Sequence, residues 1–118
     1  MDPGALLATT HDADGLRVRL RLARPSDALR LRGFLESHAP RLASQVRKLT
    51  YYDPRQRLVV LATAPLDGAE EIVGLADLQA PAPRNAVVLV DDRTPSHAVR
   101  RLLEQAAAAL AARLRHAT

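Results

Sequence analysis

Asp91, Asp92, Thr94, Ser96 and His97 crowd into a short turn between the apolar run at 87–90 and a helical pattern reaching Leu114. A strand, a tight turn and a helix start together make a natural anion site. The first amides of a helix have no acceptor within it, and its dipole is positive at that end. Yet the turn reads Thr94-Pro95-Ser96-His97-Ala98-Val99 and contains no glycine. Pro95 has no N–H to donate, while the side chains of His97 and the β-branched Val99 narrow the approach to the backbone. Asp91 and Asp92 can accept a proton but repel a phosphate; ending a strand and capping a helix accounts for them without chemistry.

Other candidates are isolated. Asp77, in GLADL, is the one carboxylate inside the apolar pattern of its strand, expected opposite an Ile72-Gly74-Ala76-Leu78 face. Such a group can serve as a general base, directly or through water; its plainer reading is a solvated strand-end residue. The histidines at 11, 38, 97 and 116 show no His-x-x-x-His spacing, and there is no cysteine, so no metal site is predicted. Nothing groups Ser26, Ser37, Ser44 or Ser96 with a histidine by motif. Arg17, Arg19, Arg21 and Arg24 form a basic stripe. It would suit an anionic partner, or it consists of long stems snorkelling over the rim of a helix-covered sheet.

The 118 residues carry a formal charge of +4, nearly all of it from arginine, with Lys48 the only lysine. At 47% hydrophobic and 25% charged, they suit one globular domain with an aliphatic core, because aromatics are only 3%. No basic run is interleaved with aromatics, which argues against nucleic acid. The start of the chain lacks the pattern of a signal peptide. The longest apolar run, AAAALAA, is too short to span a bilayer, so no membrane role and a cytoplasmic location are expected.

The elements that must position these residues follow from periodicity. Residues 1–15 are polar, aperiodic and punctuated by Gly and Pro, and are predicted to be a mobile tail. LRVRLRLA alternates strictly and predicts a half-buried strand. Ser26 is the expected N-cap of a helix with Leu31, Phe34 and Leu35 on its apolar stripe, and Pro40 opens a second helix. RLVVLATA and EIVGLADL make a hairpin about PLDGAE, AVVLVDD a fourth strand, and Val99, Leu102, Leu103, Ala106, Leu110 and Leu114 the stripe of a last helix. The order strand-helix-helix-strand-strand-strand-helix predicts an α/β, three-layer domain over 16–118 with a mostly antiparallel four-stranded sheet.

Three stretches in this order carry a resemblance: VRLRLARPSDALRLRGFLE, RLVVLATA with EEIVGLADL, and VVLVDD with LLEQAAAALA. Together they resemble the GNAT superfamily of N-acetyltransferases, from about Leu16 to Leu114. The resemblance implies a site in which a Gln/Arg-x-x-Gly-x-Gly/Ala loop holds the acetyl-CoA pyrophosphate. Its positions here are Val90 and Thr94 to Val99, with Thr94, His97 and Val99 at the signature residues. A shifted register, Arg93-x-x-Ser96-x-Ala98, imitates the pattern but supplies no glycine. The family continues with a half that lines the acceptor site and often supplies a tyrosine acid. This chain stops at Thr118, and Tyr51 and Tyr52 lie in the wrong region. The expectation is therefore a truncated domain with a degenerate loop and no cofactor, acting as a non-catalytic self-associating, partner-binding or regulatory module, as a homodimer. The alternative is an acetyl-CoA-dependent N-acyltransferase completed by dimerisation.

Overall fold

Two Asp-Gly pairs set the frame. Asp14 and Gly15 have φ of 52° and 95°, and Asp67 and Gly68 have 51° and 84°. Positive φ at both central residues is what a two-residue hairpin turn requires if its twist is to match the strands it joins. Asp14-Gly15 joins β1 (Thr10–Ala13) to β2 (Leu16–Leu22), and Asp67-Gly68 joins β3 (Arg57–Leu66) to β4 (Ala69–Gln79). The computed structural model describes residues 3–80 and 86–116.

The first hairpin corrects the expected tail. Within 1–15, Pro3–Ala8 is helix α1 and Thr10–Ala13 is a strand, and Leu6 and Ala13 are buried; Met1 and Asp2 lie outside the described residues. The signal was an Asp-Gly immediately before an alternating run. The four-stranded expectation becomes a five-stranded sheet in the order β1-β2-β3-β4-β5, antiparallel throughout, with β5 at Val87–Val90.

Between β2 and β3 the chain forms helix α2 (Ala28–His38), a 3₁₀ segment (Pro40–Gln45) and a short α3 (Val46–Thr50). Ser26 is not the cap of α2. It lies inside a 3₁₀ turn, and Asp27 holds the N-cap position. The buried Asp27 carboxylate turns back to accept the Arg24 N–H at 2.7 Å and a bidentate pair from Arg21 at 2.6 and 2.8 Å. The Arg21 hydrogen bonds hold its pKa below the ordinary carboxylate range. The Arg-Pro-x-Asp sequence is thus a mechanical join between strand and helix.

The long final helix α4 (Ser96–His116) packs with α1 on one face of the sheet; α2 and α3 pack on the other. The three-layer arrangement is therefore present. Strands β3 and β4 are covered on both faces over most of their length, the usual reason for continuous apolar runs. A register shift between Ala62 and Thr63 makes Val73 an extra residue, so Thr63 pairs with Ile72 and Ala62 with Gly74. Ile72 consequently joins Leu75 and the α2 side of the sheet, not the Ala76-Leu78 face the alternation predicts. Among the described residues no helix is long and apolar enough to cross a membrane.

Candidate functional site

The turn between β5 and α4 is organised around Asp91. Its side chain is fully buried at the end of the strand, and its own N–H donates to Val73 O at 2.8 Å. One carboxylate oxygen accepts the Arg93 backbone N–H at 2.9 Å, and the other the Arg93 guanidinium at 2.8 Å. Its carbonyl accepts both the N–H and the hydroxyl of Thr94, at 3.2 and 2.6 Å, and the Ser96 hydroxyl at 3.3 Å. The Arg93 contact, followed by the positive field of its neighbours, holds the Asp91 carboxyl down to about 2.

His38, at the end of α2, completes this cluster and carried no sequence signal. Its Nε2 lies 3.3 Å from Asp91 Oδ1, and its Nδ1 is 2.9 Å from Phe34 O, with the ring stacked on Phe34. Both neighbours are acceptors, so both contacts are hydrogen bonds only when both ring nitrogens carry a proton. His38, Asp91 and Asp92 can also present three ligand atoms within 4.8 Å of one another. Arg93 already occupies the Asp91 oxygens, which makes the group an ion-pair cluster.

The residues assigned to a cofactor loop separate accordingly. Thr94 is buried and turned inward onto Asp91 O. Val90 packs against the core on the α4 side. Val99 sits inside α4 on its buried stripe and donates its N–H to Pro95 O at 3.1 Å, so it presents nothing to a ligand. His97 is exposed and lies 3.2 Å from the Arg101 guanidinium. The amides of Ser96, His97 and Ala98 have no acceptor among the described residues, as at an ordinary helix start.

Asp77, the candidate base, is not a solvated strand end. It is 7% exposed and takes a bidentate pair from Arg57 at 2.8 and 2.8 Å, with Gln79 Nε2 donating at 3.1 Å. Every oxygen is engaged, and the site is a structural ion pair between neighbouring strands. Tyr52 is similarly committed, donating to Ala23 O at 3.1 Å, while Tyr51 is exposed.

The Asp91 cluster has an acid signature. A carboxyl whose pKa is lower folded than unfolded stabilises the fold above the unfolded value and loses that contribution as pH falls through the folded value. For Asp91 the window runs from 3.8 down to about 2. The contribution is about 2 kcal/mol at most, since Arg93 is half in solvent and screened. Urea melts from pH 5 to pH 2 are expected to show wild type losing about this much more stability than Asp91→Asn. Equal acid limbs would mean the ion pair is open in solution.

Comparison with protein-family models, with curated proteins and with solved structures finds no match to this chain.

Proposed function

We propose that this chain is a GNAT-like domain whose cofactor loop no longer serves CoA, and that it acts without catalysis as a module associating with a second copy of itself. The observation that carries this reading is the turn at the start of α4. Its Arg93 and Thr94 amides are directed onto Asp91, Pro95 has none to offer, and Val99 is closed into the helix. The exposed Asp92 beside it adds charge of the wrong sign for a pyrophosphate. The surface for self-association is β5. Among the described residues it has one strand neighbour, β4, and its apolar residues include Val87 at 45% exposure. On that strand only Val88 O is met by a side chain among those described, the Arg100 guanidinium at 3.5 Å; an apolar strand with an open edge is a template for pairing, and a two-fold contact is the commonest way to cover one.

The rival reading, an acetyl-CoA-dependent N-acyltransferase, draws on the open amides of Ser96, His97 and Ala98, which point from a helix start as an anion site requires. Calorimetric titration of the Arg19→Gln variant with acetyl-CoA separates the two, because it weakens the arginine-lined face of the sheet and leaves the turn intact. No binding is expected; micromolar affinity, about −8 kcal/mol, would establish the rival. Light scattering is expected to give the mass of two chains for wild type and of one chain for Val87→Lys, with Arg19→Glu unchanged. A wild-type monomer at tens of micromolar would remove the self-association.

A further inference from the structure

A second site lies on the part of the sheet that α2 leaves uncovered. A cavity of about 1020 Å³ opens there, lined by β1, β2, the β3–β4 hairpin and the N-terminal half of α2. Five of its lining residues are arginines: Arg17, Arg19, Arg21, Arg24 and Arg30. Arg21 is held by Asp27. The other four are exposed, and none forms a salt bridge among the described residues. The carboxylates on the wall are Asp12, Glu70 and Glu71, and Glu71 already lies 3.8 Å from Arg93.

The four free arginines outnumber the carboxylates beside them, of which Asp12 is the register partner of Arg17. The alternation of β2 puts three guanidinium stems on one face at intervals of about 7 Å, and like charges so placed repel. Long stems over the rim of a covering helix would account for them, but above Arg17 and Arg19 there is a cavity, not a helix. The floor is polar as well. Thr10, Arg19 and Thr63 are register partners across three strands, so two hydroxyl-bearing residues flank one guanidinium on the same face.

We infer that this groove binds a small molecule carrying two or more phosphate groups. Guanidinium is the side-chain group best matched to phosphate oxygens, in paired N–H···O contacts. Four unpaired arginines spread over β2, the turn that follows it and α2 exceed what one phosphate can engage. The volume lies at the upper end of the range for small-molecule sites. Among the described residues no Phe, Tyr or Trp lines the groove, and His11 is its one aromatic ring, so it lacks the run of stacking platforms that single-stranded nucleic acid uses. The inference does not depend on the proposed state of the α4 turn. The groove meets the turn only at its rim, where Glu71 lies 3.8 Å from Arg93, and its arginines are on β2, the turn after it and the first turns of α2.

Titration of the full chain with inorganic tripolyphosphate at low salt is the test, with inorganic phosphate as the single-phosphate comparison. Tripolyphosphate is expected to bind at least about tenfold more tightly than phosphate. Arg19→Gln and Arg30→Gln are each expected to weaken it by about tenfold. Arg113→Gln, an exposed change on α4 across the sheet, is expected to leave it unchanged. The Arg19 and Arg30 side chains are exposed, so these variants should fold, and matching thermal melts confirm it. Absence of tripolyphosphate binding overturns the inference, as does equal weakening by Arg113→Gln, which marks diffuse charge attraction. A thymidine oligonucleotide that outcompetes tripolyphosphate, with affinity rising with length, would replace it with a nucleic-acid surface.

Discussion

Asp77→Ala is expected to destabilise the domain by about 3–5 kcal/mol, the cost of leaving the other half of a buried ion pair uncompensated. The Arg57 side chain is 15% exposed and both of its contacts to Asp77 are 2.8 Å. The guanidinium stays charged when its partner is removed, because arginine is protonated at any ordinary pH. A domain of this size has about 5–15 kcal/mol of stability in total, so the variant should be marginal or unfolded in urea melts at neutral pH. Replacing both partners, Arg57→Met with Asp77→Leu, is expected to recover most of the loss, because apolar groups of similar volume need no charge partner. A shift below about 1 kcal/mol for Asp77→Ala would show a solvated carboxylate. That result would return Asp77 to the list of possible bases.

Gly74→Val is the second large effect, expected to cost about 3 kcal/mol by overpacking. A Cβ at this position would stand 2.7 Å from Leu103 Cδ1, 3.2 Å from the Leu89 carbonyl oxygen and 3.4 Å from Val99 Cγ1. Leu103 and Val99 are fully buried on the inward face of α4, so neither has free space to move into. The Leu89 oxygen belongs to the paired backbone of β5 and cannot yield without disturbing its ladder. The requirement for glycine here is the approach of α4 to the sheet, at the residue beside the bulged Val73. Truncating the opposing side chain is the internal check. Gly74→Val with Leu103→Ala should cost clearly less than the two single changes added together, since the cavity of one receives the methyls of the other. Strict additivity in chemical melts would place α4 farther from β4.

What the sequence determined by itself was local. Strict alternation made β2 a half-buried strand, because adjacent side chains on a strand point to opposite faces. The apolar run at 57–64 made β3 a covered strand, and the i, i+3, i+4, i+7 stripe made α4. Asp14-Gly15 encoded a further hairpin with equal clarity; it was obscured by the polar residues before it, whose tendency toward irregular chain gave way once β2 offered a partner for β1.

Tertiary structure decided everything that depends on which distant residues meet. Asp77 is a member of an ion pair only because the β3–β4 register places Val59 opposite it, two residues from Arg57. Ile72 changed faces because one extra residue in a strand reverses the alternation beyond it. His38 reaches Asp91 because α2 crosses the sheet and ends beside β5, a path no spacing of histidines and aspartates records. The arginines were visible as a stripe, but whether a helix would cover them was a matter of packing. Side-chain chemistry and periodicity are properties of a segment, whereas burial, charge pairing and open space are properties of the surfaces that segments bring together.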